Sequence, residues 1–163
     1  IALVHETLSM SSDEAVEFDG IVDRVAAAAA EVATTEVAVR MRREGSFGVL
    51  PAEIATSLVI VLNELLLNAV EHAFPPPAEG GADAPPAGSA EVIVSAHRFR
   101  KQLHVTVADN GRGLPADFDA DQGSRLGLQI VRALATGELR GTIELRGRAA
   151  GGTEALLVVP LAR

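Results

Sequence analysis

The chain contains no cysteine, tryptophan or tyrosine, and aromatics make up only 3% of its residues. Without cysteine there are no disulfides, no thiol catalysis and no Cys-ligated zinc. A reducing, cytoplasmic setting suits that composition. With so few rings, the core has to be built from Ala, Val, Leu and Ile, and 48% apolar residues is enough for a folded globule. Positive charge is also scarce: 14 Lys and Arg stand against 22 Asp and Glu, a net charge of −8. Such a surface repels nucleic-acid phosphates, which argues against direct nucleic-acid binding. Any bound anion must be met locally, by backbone amides, a metal ion or a few basic side chains. No uninterrupted apolar run reaches the ~18–20 residues of a membrane span. The nearest, Leu58–Leu67, is broken by Asn63 and Glu64. No signal peptide is evident.

The chain has 163 residues, room for one domain with one core. It starts at Ile1, which reads as a cut from a longer protein. Ile1–Met10 reads as the end of a helix begun upstream, and Ser11, Ser12, Asp13 and Glu14 supply a stop and a fresh cap. The expected division is therefore 1–12 as helix end and linker, and 13–163 as the domain. Asp19–Val32 carries apolar residues at helical spacing. Glu36–Arg43 alternates like a strand. Pro51 suits the first turn of a helix running to about Ala73. Residues 75–90, rich in Pro, Gly and Ala, form a loop insertion. Glu91–Phe99 and Gln102–Asp109 alternate strongly around Arg100-Lys101, which predicts a β-hairpin. Residues 110–125 read as loop, Leu126–Ala135 as helix, and Glu138–Arg146 and Thr153–Leu161 as strands. Hairpins and helices without βαβ regularity predict an α+β two-layer sandwich, with helices on one face of a mixed, mostly antiparallel sheet.

Glu64, Asn68 and His72 recur every fourth residue and share one helix face. A carboxylate and a carboxamide one turn apart suit Mg²⁺, directly or through water; the plainer alternative is the wet side of an amphipathic helix. Leu103, Val105, Val107 and Asp109 share one strand face, so Asp109 ends an apolar stripe. A carboxylate there needs a donor to offset its desolvation. An adenine amino group is one such donor; a ligand-free turn over Asn110-Gly111-Arg112-Gly113 is the alternative. Gly123-Ser124-Arg125-Leu126-Gly127-Leu128 leads into a helix whose first amides suit phosphate, although many loops open helices this way. Gly151-Gly152-Thr153 opens the last strand.

Taken in series, these segments resemble the histidine-kinase and Hsp90-type ATPase superfamily. Asn63–His72 looks like its N box, Asp109–Gly113 its first glycine box, Gly123–Leu128 its second and Gly151–Thr153 its third. The resemblance covers about residues 15–163 and implies a Bergerat-type fold that binds ATP and Mg²⁺. It implies that Asn68 contacts Mg²⁺, with Glu64 acting through water or as the base. It implies that Asp109 accepts from the adenine amino group and that Gly111 and Gly113 lie against the base. His72, Leu114, Arg125, Leu126, Gly127, Leu128 and Thr153 complete the implied ATP site. Leu114–Arg125 would be the lid over the phosphates. No phenylalanine box stands before it, with Phe118 the sole candidate.

Ile1–Ser9 resembles the end of the dimerisation helix in the histidine-kinase subgroup with a second-type phosphoacceptor region. This implies the catalytic domain of a two-component sensor kinase, homodimeric as a whole protein, acting on an upstream dimerisation and phosphoacceptor domain and signalling to a response regulator. His5 reads as a helix-surface residue, and the acceptor histidine is expected upstream of Ile1. The chain alone should be monomeric and bind ATP without phosphorylating itself. Two rivals remain: an anti-sigma-type serine kinase with the same pocket, and a non-enzymatic module with a degenerate one.

Overall fold

The computed structural model describes residues 14–32, 38–74, 89–113 and 126–161. The expected division at 12/13, the insertion beyond Phe74 as far as residue 88, the lid and His5 lie outside them. The first described strand, β1 (Ala15–Glu17), runs into helix α1 (Phe18–Val32). Ile21, Val22, Val25 and Ala29 are its buried stripe, at the spacing of one helix face. Phe18 meets Phe47 at 5.2 Å between ring centres. The Asp19 carboxylate accepts from the Phe47 amide at 2.7 Å and the Ser46 hydroxyl at 2.6 Å. The start of α1 is thereby tied to the loop before β3 (Val49–Pro51).

Strand β3 pairs antiparallel with β1, Val16 opposite Leu50. This two-stranded sheet, with strands of three residues each, was not expected from the sequence. Its purpose is legible in the bonds around it: the Ala52 amide donates to the Glu14 carbonyl at 2.9 Å, and the Phe18 amide to that of Gly48 at 3.1 Å. Arg98 reaches in from the main sheet to donate to the Phe47 carbonyl at 2.9 and 2.7 Å.

Helix α2 (Ala52–Asn68) follows directly and continues as a π-helical turn, Ala69–Ala73. Pro51 is the residue just before the helix, with ψ 143°, rather than part of its first turn. By length and composition, Ala52–Ala73 is apolar enough to cross a membrane. Here, however, Leu58, Leu62 and Leu66 are buried at 0 to 1% exposure inside the fold. The helix is apolar because it is the centre of the core.

The main sheet has the order β2-β4-β5-β7-β6. Strands β4 (Glu91–Phe99) and β5 (Gln102–Asp109) form the expected hairpin to the residue, and Arg100 and Lys101 turn it at φ 51° and 61°. Strand β2 (Arg40–Gly45) is parallel to β4; β6 (Thr142–Gly147) and β7 (Thr153–Pro160) complete the sheet antiparallel. Leu103, Val105 and Val107 of β5 and Ala155, Leu157 and Val159 of β7 are buried, while their neighbours between, from Gln102 to Thr106 and from Glu154 to Pro160, are not. The helices thus cover one face, as an α+β two-layer sandwich requires.

Two expected strands are displaced. Of the first, expected over Glu36–Arg43, residues 36–37 lie outside the described set; residues 38–39 precede the ladder, which starts with Arg40 opposite Glu91 and runs on to Gly45, and Val39 still buries its side chain. The second begins at Thr142, not Glu138. Helix α3 (Leu126–Ala133) extends as a π-helical turn, Leu134–Glu138, past the expected end at Ala135. Leu139 is fully buried and its amide donates to the Leu134 carbonyl at 2.8 Å; Arg140 then reverses the chain at φ 54°.

Leu66→Ala tests where the core sits. With no exposed surface in the parent, the truncation should cost about 2–5 kcal/mol of unfolding free energy. Urea unfolding should show a lower midpoint at unchanged slope.

Candidate functional site

Helices and sheet leave a cavity of about 140 Å³ between them. Leu65, Asn68, Ala69, His72 and Ala73 form its helical side. Val107 and Asp109 of β5, with Arg112 and Gly113 beyond, form its floor. Leu128 of α3, Leu145 of β6 and Thr153 and Ala155 of β7 close it. The wall combines small and aliphatic side chains with a few polar ones, Asn68, His72, Asp109, Arg112 and Thr153, the composition of a site for a flat, partly apolar ligand.

Asp109 is buried at 6% exposure where the β5 stripe ends. Its Oδ1 accepts from the Gly111 amide at 3.0 Å and the Thr153 amide at 3.2 Å. The first of these is the turn the sequence left open as an alternative; the second brings the third glycine-box segment to the first. Burial pushes the Asp109 carboxyl up from its ordinary range, against the two amides and the Arg148 charge, which all favour the anion. Asn110 turns outward and braces the neighbouring backbone. Its Oδ1 accepts from the Glu91 amide at 2.8 Å and its Nδ2 donates to the Ser89 carbonyl at 2.6 Å.

The glycines here are needed for close approach. A Cβ on Gly111 would overlap the Ala73 carbonyl, next to the Arg112 amide that donates to it at 3.0 Å. That contact seals the end of α2 to the turn after β5. Gly152, at φ 94°, lies so near the Asp109 carbonyl that a side chain is excluded.

On the helical side, Asn68 Nδ2 is buried without a hydrogen-bond partner among the described residues. An orphaned buried amide is costly, and this one faces α3: a Cβ placed on Gly127 would lie 2.6 Å from Glu64 Oε2 and 3.9 Å from Asn68 Nδ2. Gly127 therefore admits both polar side chains to the start of α3.

The structure gathers Asn68, His72, Asp109, Gly113, Leu128 and Thr153 around one cavity. Glu64, Gly111 and Gly127 adjoin it without lining it. Leu114 and Arg125 lie outside the described residues, as does the side chain of Leu126. Sequence reasoning missed the walls given by Leu65, Ala69, Ala73, Leu145 and Ala155, and it missed Arg148, whose Nη1 donates to the Asp109 carbonyl at 2.7 Å. Ala155 was legible in principle, since it follows Thr153 on the same strand face. Arg148 carried no local signal.

Residues 53–163 match the family described as histidine kinase-, DNA gyrase B- and HSP90-like ATPases. Over all 163 residues the chain is 44% identical to sensor histidine kinase PdtaS of Mycolicibacterium smegmatis and 42% to that of Mycobacterium tuberculosis. It spans 31% of the length of these curated relatives. Among solved structures, the histidine kinase domain of a blue-light-activated kinase from Erythrobacter litoralis superposes with a TM-score of 0.77 at 25% identity, over 98% of this chain and 70% of that one. The ATP binding domain of PrrB from Mycobacterium tuberculosis does so with a TM-score of 0.68 at 22% identity, over 94% and 100%, a likeness of fold.

The raised Asp109 carboxyl has a signed consequence for stability. The unfolded chain ionises this group near the ordinary value and the folded chain only at higher pH. Between the two the folded state binds more protons, so stability is lost as pH rises. Denaturation of wild type and Asp109→Asn side by side should show the wild type losing ground as pH climbs from about 3.9 toward neutrality. A difference that stays flat with pH would contradict the raised value.

Proposed function

The chain belongs to the family of histidine kinase-, DNA gyrase B- and HSP90-like ATPases, and from that premise we propose that it is the ATP-binding catalytic domain of a two-component sensor histidine kinase. The observation that carries the reading is one cavity lined both by a buried carboxylate, Asp109, and by a carboxamide, Asn68, whose Nδ2 is buried without a partner among the described residues. That pair suits a nucleotide: the carboxylate can accept from an amino group, the unpartnered Nδ2 can donate to a phosphate oxygen, and the amide oxygen of the same side chain is the atom that would hold a phosphate-bound cation. The kinase branch is supported by the relatives, which are named sensor histidine kinases.

In this reading Asp109 uses Oδ2 to accept from the adenine amino group, because both backbone donors already occupy Oδ1. Thr153 and Gly113 flank the base, and Leu65, Ala69 and Val107 give it an apolar wall. Asn68 and Glu64, one turn apart, would hold Mg²⁺, Asn68 by its amide oxygen and Glu64 through water. Mg²⁺, when bound, neutralises phosphate charge. Among the described residues no group of three His, Cys, Asp or Glu stands ready for a metal. Two side chains nevertheless suit Mg²⁺, which takes most of its oxygens from phosphate and water. The Gly127 end of α3 faces the same place with its amides.

The proposed reaction moves the γ-phosphoryl group from ATP to an imidazole nitrogen of a histidine outside this chain, in an upstream dimerisation and phosphoacceptor domain. A phosphorus–nitrogen bond forms, the bond to the ADP oxygen breaks, and ADP leaves. The chain's share is positioning, which dominates phosphoryl transfer generally. In the whole protein we propose a cytoplasmic homodimer that passes the phosphoryl group to a response regulator.

Two measurements test this. Calorimetry should show MgADP binding that weakens by roughly 10- to 150-fold in Asp109→Asn, the value of one charge-assisted hydrogen bond. In the full-length protein, ATP should give an acid-labile, base-stable phosphoenzyme that Asn68→Ala abolishes. An acid-stable product would point instead to a serine kinase, and equal labelling in wild type and Asn68→Ala would remove Asn68 from the machinery.

A further inference from the structure

Arg148 lies outside every motif and does not line the cavity, yet it is bound to the residue on which the site turns. Its Nη1 donates to the main-chain carbonyl of Asp109 at 2.7 Å. The β5–β7 ladder ends one residue earlier, with Ala108 opposite Glu154. The Asp109 carbonyl thus stands where pairing with β7 has stopped, close against Gly152, and the guanidinium supplies a donor there. Arg148 is itself anchored: its amide donates to the Gly152 carbonyl at 3.0 Å, and its carbonyl accepts from the Gly151 amide at 3.0 Å. The residue after that closed turn is Thr153, whose amide binds the Asp109 carboxylate at 3.2 Å. One arginine therefore ties the main chain of Asp109 to the turn that holds its side chain.

We infer that Arg148 is the positioning residue for base selection: by fixing Asp109 from behind and keeping its carboxylate an acceptor, it makes the site prefer a purine with a 6-amino group over one with a 6-oxo group. The inference rests on the proposed adenine contact and deepens it. The positive charge works in the same direction as the geometry, since Arg148 favours the anion against the burial that disfavours it. An ionised carboxylate attracts an amino group and repels a carbonyl oxygen; a protonated one can instead donate to that oxygen, and a displaced one reaches neither.

The test is the ratio of MgADP to MgIDP affinity, by calorimetry on the purified domain. Wild type should prefer ADP by about 10- to 150-fold, one charge-assisted bond. Arg148→Ala should collapse most of that ratio by weakening ADP while leaving IDP nearly unchanged. Arg148→Lys, which keeps a charged donor, should restore much of it. In an Asp109→Asn background, Arg148→Ala should change the ratio no further. If Arg148→Ala does not fold, Arg148→Gln carries the same test. An unchanged ratio in these variants, including one in which both affinities fall together, overturns the inference and leaves Arg148 a brace of the turn only. A wild-type domain with no preference, or a preference that survives Asp109→Asn, overturns the adenine contact itself, and the inference with it.

Discussion

A carboxylate buried at the end of an apolar strand is the constraint around which this domain is arranged. Removing Asp109 from water carries a desolvation cost that a lone neighbour would not offset. The chain meets it with donors from two separate places, the Gly111 turn and the start of β7, and adds the charge of Arg148 beyond the cavity. These demands draw the end of β5, the β6–β7 turn and the end of α2 to one point. They also explain why Gly111 and Gly152 stand where they do: each lets one backbone approach another more closely than any side chain permits.

The opposite wall depends on a helix that serves both core and site. One side of α2 is the centre of the core, with Leu58, Leu62 and Leu66 wholly buried. Another side brings Glu64, Asn68 and His72 toward the cavity and α3. Its first residue is pinned by the small β1–β3 sheet through the Ala52 amide, and its last turn by the Arg112 amide on Ala73. A helix held at both ends and along one face has little freedom to slide, which is what a site built across two layers needs. Among the described residues the Asn68 Nδ2 has no partner, and a ligand oxygen would satisfy a buried donor that is otherwise costly.

Much of this was legible in the residues. The β4–β5 hairpin was read with its ends in place because Val92, Val94 and Ala96 on one side of a two-residue turn, and Leu103, Val105 and Val107 on the other, recur at every second position. The stripe ending at Asp109 and the four-residue spacing of Glu64, Asn68 and His72 pointed to one cavity from the sequence alone. The misses have a common cause. Ala15–Glu17 and Val49–Pro51 are too short to show alternation, and only their pairing makes them strands. The start of β6 is hidden because Leu139 looks like a strand residue but caps a helix. Arg148 lies 39 residues from Asp109 in sequence, and no local pattern marks an arginine that bonds to a backbone carbonyl.

The central claim is that the space between α2 and the sheet is an adenine-nucleotide site, and nuclear magnetic resonance of the ¹⁵N-labelled domain titrated with MgADP tests it most directly. Saturable shifts are expected for the Ala69, Gly113, Gly127 and Thr153 amides and for the Asn68 side-chain amide, with the Arg100-Lys101 turn unmoved. Saturating nucleotide that leaves those five signals in place, or that moves only residues remote from the cavity, would contradict it.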